Sequence, residues 1–262
     1  MFSNKLNTVY YNVKIKNLPN NLEGLKVVQI SDLHNSEYGD NQHILTEKIQ
    51  NEKPDLIFIT GDIIDREINK RKKGYKNVED FLREIPKIAK TYFVTGNHEF
   101  EKEYYNKIIK EITKNNIIIL EDNFEIIKIK NSEICITGLD DERRIRLYPE
   151  KKKIEEAIEE IETKNKFTGI KILLCHKPHL IKMFKKYNFD IIFSGHAHGG
   201  QVRIPKLING LYAPGQGIFP KYAGGVYCIN DKTTLVVTRG LAKVLPRVWN
   251  RPEIVVVTLN NL

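Results

Sequence analysis

The chain is 262 residues long, of which 41% are hydrophobic and 29% charged, and this length and composition exclude disorder as its main state. Its 42 Lys and Arg against 33 Asp and Glu give a net charge of +9, which favours anionic partners, although a lysine-rich coding bias explains the excess more simply. No run of about 18 apolar residues is present and the first residues lack the apolar core of a signal peptide, so we expect a protein that is cytoplasmic or peripheral at the membrane. The three cysteines, Cys135, Cys175 and Cys228, have apolar neighbours and are expected to be reduced core residues.

Short apolar segments alternate with longer segments of helical periodicity, a pattern typical of an α/β protein. Strands are predicted at 27–31, 56–60, 92–95, 170–175, 191–194, 235–238 and 254–259, and helices at 42–52, 78–90, 104–115, 149–164 and 178–187. From 116 to 139 the pattern predicts hairpins built from strands at 117–120, 125–130 and 133–137, and the segment from 224 onward is similar. No linker or repeat divides the chain, so we expect one domain over 1–262, with an N-terminal strand or extension over 1–24.

Metal-ligating side chains follow five of the predicted strands, and five of the seven histidines are among them. In chain order they are Asp32 and His34, then Asp62, then Asn97 and His98, then His176, then His196 and His198. Ligands of open α/β sheets bind at the carboxyl ends of the strands. The sequence therefore predicts a metal site where these ends meet.

Leaving His98 aside, seven donors remain, four imidazoles and three oxygen ligands. A single catalytic zinc uses only three protein ligands. Two ions about 3.5–4 Å apart that share a carboxylate account for all seven donors. Ligation by nitrogen and oxygen without thiolate suits Mn, Fe, Zn or Co, and does not choose among them.

Five short motifs resemble the signature blocks of the calcineurin-like metallophosphoesterases. They are Asp32-X-His34, Gly61-Asp62-Ile63-Ile64-Asp65-Arg66, Gly96-Asn97-His98-Glu99, His176 and Gly195-His196-Ala197-His198. Segments after the last histidine, such as 199–201, 220–224, 238–241 and 246–253, resemble a bacterial branch with stand-alone, often membrane-associated phosphoesterases and UDP-2,3-diacylglucosamine pyrophosphatases. The resemblance implies a four-layer α/β/β/α sandwich of two mixed sheets flanked by helices.

The resemblance also implies a role for each motif residue. One metal ion is held by Asp32, His34, Asp62 and His198, and the other by Asp62, Asn97, His176 and His196. His98 matches the general acid, Asp65 a residue that orients this histidine, and Arg66 a phosphate-contacting arginine.

The implied function is hydrolysis of a phosphodiester, phosphomonoester or pyrophosphate by in-line attack of a metal-bridging hydroxide. A lipid-linked or nucleotide-sugar substrate such as UDP-2,3-diacylglucosamine is favoured, with peripheral membrane contact as a further option. The alternatives are a cyclic-nucleotide or generic phosphodiesterase or nuclease, and a non-catalytic basic protein that binds nucleic acid or membrane. No specific nucleic-acid partner is expected, and the oligomeric state is left open.

Other polar residues have weaker interpretations. Asp140 and Asp141 are expected in a turn or cap rather than near the metals, and neither His43 nor His179 is expected to be a ligand. The segment 209–222 suits a lid or substrate wall, and an ordinary loop equally well. One or two of five cationic residues are expected to contact phosphate; the five are Arg203, Lys221, Arg239, Arg247 and Arg251.

Overall fold

The computed structural model describes residues 4–65, 74–101, 104–204, 207–243 and 247–262. Its strands are β1 (Asn7–Ile15), β2 (Lys26–Ile30), β3 (Leu56–Ile59), β4 (Lys90–Phe93), β5 (Ile118–Ile119), β6 (Asn123–Ile129), β7 (Ser132–Leu139), β8 (Ile170–Cys175), β9 (Ile191–Ser194), β10 (Tyr212–Ala213), β11 (Gly217–Ile218), β12 (Gly225–Cys228), β13 (Thr234–Val237) and β14 (Glu253–Asn261). Its helices are α1 (His43–Glu52), α2 (Gly74–Glu84), α3 (Tyr105–Lys114), α4 (Arg144–Leu147), α5 (Ile154–Lys164) and α6 (Ile181–Phe184).

The first sheet has six strands in the order β1-β14-β2-β3-β4-β5. Strands β2 to β5 are parallel, β14 is antiparallel to β2, and β1 is parallel to β14, so the sheet is mixed. Helices α1, α2 and α3 cover its outer face, where their apolar residues Leu45, Phe81 and Ile108 pack in one buried cluster with Val28 and Ile57 of the sheet.

The second sheet has the order β12-β13-β9-β8-β7-β6 and is also mixed, because only its two outermost pairs, β12 with β13 and β6 with β7, are antiparallel. Helices α5 and α6 cover its outer face through Ile158 and Phe184, which pack with Leu173 and Ile192.

The inner faces of the two sheets pack against each other over a third buried cluster. Phe58 of β3 and Phe193 of β9 meet there edge to face, with ring centroids 5.2 Å apart. Strands buried on both faces explain the continuous apolar runs of the sequence. The four layers are helices, sheet, sheet and helices, which confirms the predicted sandwich.

The carboxyl ends of the central strands of both sheets are tied together. Gln29 of β2, fully buried, donates its side-chain N–H groups to the Ser194 carbonyl at the end of β9 (2.9 Å) and to Thr60 Oγ1 after β3 (3.0 Å). The loops that follow β2, β3, β8 and β9 therefore start from one place.

Three of the predicted helices have wrong bounds. The helix predicted at 78–90 ends at Glu84 and Lys90 begins β4, because Pro86 has no N–H to continue a helix. The helix predicted at 149–164 begins only at Ile154, and that at 178–187 is reduced to Ile181–Phe184.

The strand predicted at 117–120 does not form a hairpin. It is β5, which follows α3 and lies parallel to β4 in the first sheet, as a strand after a crossover helix does. Between 116 and 139, β6 and β7 form the expected hairpin, and β12 and β13 form an antiparallel hairpin in the segment from 224 onward. Cys228 is exposed on the edge strand β12, so the prediction that it lies in the core is wrong; Cys135 and Cys175 are buried, and all three are free thiols.

Within the described ranges, no helix combines the length and the apolar character that crossing a bilayer requires.

Candidate metal centre

The residues after β2 and β3 form two adjoining turns that carry three of the predicted ligands. Asp32 N–H donates to the Gly61 carbonyl (2.9 Å), and His34 N–H donates to the Asp62 carbonyl (3.2 Å). The backbone hydrogen bonds of the parallel strands thus continue past their ends and keep Asp32, His34 and Asp62 side by side.

Five of the predicted ligands have a left-handed backbone. The φ angles are +52° at Asp32, +45° at His34, +54° at Asp62, +67° at His196 and +48° at His198. This conformation costs on the order of 1–3 kcal/mol for a residue other than glycine, and such residues cluster at functional sites. The turns at the edges of both sheets are therefore strained, and this backbone conformation sets the direction of their side chains.

Two glycines allow close approach to the carboxylates. A Cβ at Gly96 would overlap Oδ1 of Asp62, and a Cβ at Gly195 would lie 2.6 Å from Oδ2 of Asp32. Any side chain at either position would displace a candidate ligand.

Asp32, His34 and His198 form one group, in which one ligand atom from each lies within 4.8 Å of the others. Nε2 of His198 is 3.4 Å from Oδ1 of Asp32, and the rings of His34 and His198 are 5.0 Å apart. The backbone N–H of His196 donates to both carboxylate oxygens of Asp32 (3.0 and 3.1 Å), which orients the carboxylate.

Asp62, His176 and His196 form a second group by the same measure. Nε2 of His176 lies 3.1 Å from Oδ2 of Asp62 and 3.1 Å from Nδ1 of His196. Nδ1 of His176 is 2.7 Å from the carbonyl of Thr60, an acceptor, so this nitrogen carries a proton and Nε2 is the nitrogen that faces Asp62. Burial lowers the pKa of His176, but Asp62 and Asp32 outweigh this effect and raise it to about 10, so Nε2 also holds a proton, which metal binding displaces. Asp62 also lies 3.7 Å from His34 of the first group, and so stands between the two.

Asn97 is buried, and its side-chain Oδ1 accepts no hydrogen bond from any residue in the described ranges. A buried amide oxygen without a donor is costly, unless it binds something the protein chain does not provide. Neutral imidazoles, carboxylates and this oxygen are the donors that divalent transition metals take. The residues present therefore fit a metal centre.

His98 follows Asn97 and borders both groups, and with His34 and Asp65 it forms a third group by the same measure. Its Nδ1 lies 3.7 Å from Oδ1 of Asp65, its Nε2 lies 4.0 Å from Oδ2 of Asp62, and its ring meets that of His34 edge to face at 4.5 Å. The backbone N–H of His98 donates to Oδ1 of Asp62 at 2.7 Å. Asp65 and His98 thus lie near each other, and the roles assigned to them stay predictions, whereas Arg66 lies outside the described residues.

Burial and mutual charge set the ionisation of the centre. Burial disfavours the charged form of Asp62, but His176 and His98 hold its pKa well below the usual range. Burial, together with the nearby charge of Asp62, raises the pKa of Asp32 to about 6 against the opposing effect of His176. Burial also lowers the pKa of His196 and of His198 well below the usual value, so both imidazoles are neutral, as metal ligation requires.

Glu99 is a residue to which sequence reasoning assigned no role. It is fully buried and accepts backbone N–H donors from Asp62 (2.8 Å), Ile63 (2.8 Å) and Gly96 (2.6 Å). It therefore joins the turn after β3 to the turn after β4. The available signal was an acidic residue two positions after the predicted ligand Asn97.

Asn250 is a second such residue, and no sequence signal marked it. Its side-chain amide donates to the carbonyls of His198 (2.7 Å) and Gln201 (3.1 Å), so the C-terminal segment fixes the turn that carries His198.

Two of the five cationic candidates have structural partners. Arg239 is ion-paired with the buried Glu253, and Arg247 donates Nε to the Ala242 carbonyl (2.7 Å) and Nη1 to the Arg239 carbonyl (2.9 Å). Lys221 and Arg251 are exposed, and Arg203 is half-buried. Which of the five contacts phosphate stays a prediction.

The remaining polar residues behave largely as expected. Asp141 Oδ1 accepts the Arg143 N–H (2.9 Å), the bond of a turn, and Asp141 also pairs with Lys177 directly after His176 (3.0 Å). His43 is exposed, and the ring of His179 lies 6.0 Å from that of His196 without joining either donor group.

A family model for calcineurin-like phosphoesterases matches residues 25–200, more than half of the chain, and the chain belongs to this family. It is accordingly a metallophosphoesterase, a hydrolase of phosphoric esters.

Relatives extend the likeness to most of the chain. Over 88% of its length it is 28% identical to the uncharacterized metallophosphoesterase YkoQ of Bacillus subtilis, of which it covers 82%. Over 84% of its length it is 25% identical to the UDP-2,3-diacylglucosamine pyrophosphatase LpxG of Chlamydia muridarum, of which it covers 78%. Two other relatives are longer, and the chain spans 61% of the one from Campylobacter jejuni and 56% of the one from Danio rerio.

The fold itself is shared with a solved dimetal phosphatase from Danio rerio. The TM-score is 0.52 at 10% sequence identity, over 84% of this chain and 88% of that one.

We expect Glu99→Ala to lower the free energy of unfolding by at least about 2 kcal/mol, because three buried N–H groups lose their acceptor. Urea denaturation measures this, with Glu47→Ala on the exposed face of α1 as the matched control. Equal midpoints for the two variants would show that Glu99 does not hold the turns together.

Proposed function

We propose that this chain is a dinuclear metal-dependent phosphoesterase whose ligands are the seven donors at the strand ends. The observation that carries the proposal is the position of Asp62, within 3.1 Å of His176 in one donor group and 3.7 Å of His34 in the other. The buried Asn97 oxygen, which lacks a donor among the described residues, supports it independently.

In this proposal the first ion is held by Asp32, His34 and His198, and the second by Asn97, His176 and His196. Asp62 contributes to both, because its carboxylate lies between the groups. When bound, such a pair of divalent ions makes water acidic enough to act as a nucleophile at neutral pH and offsets the charge of the phosphoryl oxygens. The metal is Mn, Zn or Fe.

His98 supplies the proton to the departing oxygen. Its Nδ1 lies 3.7 Å from Oδ1 of Asp65, so Nε2 is the nitrogen that gives up the proton. Nε2 is also the nitrogen that faces Asp62 at the middle of the centre.

We further propose a lipid-linked or nucleotide-sugar pyrophosphate as the substrate, with UDP-2,3-diacylglucosamine as the first compound to test. The similarity to LpxG over 84% of the chain supports this class. The experiment compares nitrophenyl phosphate, bis-nitrophenyl phosphate and UDP-2,3-diacylglucosamine with the metal-loaded protein. Fastest hydrolysis of the lipid nucleotide is expected; hydrolysis of the simple diester alone would favour a generic phosphodiesterase, and hydrolysis of none would contradict the proposal.

For Asp62→Ala we expect loss of both metal ions, because each ion loses a shared carboxylate ligand. Elemental analysis of the purified, metal-loaded and desalted protein measures the stoichiometry. Asp231→Ala, which removes an exposed carboxylate, is the control and retains the wild-type content. An unchanged metal content in Asp62→Ala would rule out the bridging role.

For His98→Ala we expect both metals to remain, while hydrolysis of esters with poor leaving groups falls by about 10²–10⁴. Nitrophenyl esters, whose leaving group needs no proton, are affected less. His43→Ala on the surface is the matched control. Loss of metal with normal specific activity per bound metal would show that His98 is a ligand rather than the acid.

A further inference from the structure

Large apolar side chains are exposed in one region beside the candidate centre. We call this region the apolar rim. Its residues are Leu207, Leu211, Tyr212, Ile218, Phe219 and Trp249. Leu207 is 78% exposed, Ile218 69% and Phe219 64%, far more than an apolar side chain in a well-packed surface. Clustered exposure of this kind marks a surface that contacts another molecule or a membrane.

The backbone brings these residues together. Tyr212 of β10 lies opposite Ile218 of β11, and Phe219 N–H donates to the Leu211 carbonyl at 2.8 Å. Successive residues of a strand point to opposite faces, so this hairpin presents apolar side chains on both sides. Val202 forms a bridge with Val248, which places Trp249 beside the segment that follows Gly200, whose carbonyl accepts the Leu211 N–H.

The hairpin is held firmly against the site. Leu211 N–H donates to the Gly200 carbonyl (3.0 Å), in the turn that carries His198. Gln216 accepts the Tyr222 N–H and donates to the Tyr222 carbonyl, both at 2.9 Å. Gly215 lies against the ring of His179, close enough that a Cβ would overlap it. The exposure is therefore a property of a fixed structure.

The sequence that carries the rim is mainly cationic, and two of its cations, Lys232 and Arg239, pair with the flanking carboxylates of Asp190 and Glu253. From residue 191 to residue 252 the sequence has a single acidic residue, Asp231, and eight cationic ones, whereas the whole chain has 33 acidic residues. Lys221 and Arg251 in this region are exposed. Such a surface repels a second copy of itself and attracts the anionic head groups of a bilayer. Trp and Tyr beside Lys and Arg are the side chains that favour the membrane interface.

We propose that the apolar rim docks the protein on a bilayer rich in anionic phospholipids. Ile218 and Phe219 enter the boundary between head groups and acyl chains, while Lys221 and Arg251 contact lipid phosphates. The turn that carries His198 then lies next to the lipid surface. The docking does not depend on the hydrolysis proposed above and would hold for a soluble substrate as well.

The wild-type chain carries its own probe, because Trp249 is its only tryptophan. Vesicles of phosphatidylcholine mixed with phosphatidylglycerol should shift its fluorescence to shorter wavelength, and brominated acyl chains should quench it. Vesicles of phosphatidylcholine alone should do neither. An unchanged spectrum with the anionic vesicles would overturn the proposal.

The double variant Ile218→Ser/Phe219→Ser tests the hairpin directly by sedimentation with the same vesicles. We expect its partition coefficient to fall at least about tenfold, since binding scales with the apolar area inserted. The control, Ile44→Ser/Ile126→Ser, removes two apolar side chains that are 44% and 43% exposed elsewhere and should bind as the wild type does. Equal binding of both double variants, or concentration-dependent self-association of the wild type without vesicle binding, would overturn the proposal.

Two measurements separate this proposal from the proposed function. Asp62→Ala should still bind anionic vesicles, and Ile218→Ser/Phe219→Ser should hydrolyse bis-nitrophenyl phosphate at the wild-type rate. Absent hydrolysis with intact vesicle binding would contradict only the proposed function, and the reverse pattern would contradict only the docking.

Discussion

The carboxylate of Asp62 is the group on which the rest of the candidate centre depends. It is buried, faces His34, His98 and His176, and accepts the backbone N–H of His98. The backbone N–H of Asp62 donates to the carboxylate of Glu99. An uncompensated charge buried this deeply would be strongly unfavourable. The surrounding histidines are therefore needed to offset the charge of the carboxylate, in addition to being candidate metal ligands. The positions of both donor groups follow from this one side chain, because each group contains a residue in contact with it.

A rigid scaffold is needed to keep these side chains in place. Strained turns after β2, β3 and β9 persist only because the surrounding structure allows them no alternative. The packed inner faces of the two sheets and the buried contacts of Gln29 and Glu99 provide that constraint. Metal ions bound by the folded chain and not by the unfolded chain would stabilise it further by mass action.

The candidate metal centre and the apolar rim lie close together in the fold. The same turn that presents His198 receives a hydrogen bond from the hairpin that carries Tyr212 and Ile218, so the geometry of one is fixed relative to the other. The segment 209–222, interpreted from sequence as a lid, a wall or a loop, contains a short hairpin in the structure.

The sequence pattern by itself predicted an α/β protein and the candidate ligands, because apolar runs that end in Asp, Asn or His indicate strand, edge and chemistry locally. The four-layer order was implied only by the family resemblance. The pattern missed Pro86 as the local end of α2, and it misassigned two features that depend on distant contacts, the sheet that β5 joins and the exposure of Cys228. Only the tertiary structure decided that Glu99 holds two turns together, that Arg239 is neutralised by Glu253, and that Val248, next to Trp249, bridges Val202. Those relations join residues far apart in the chain, and nothing in the local pattern around either partner encodes them.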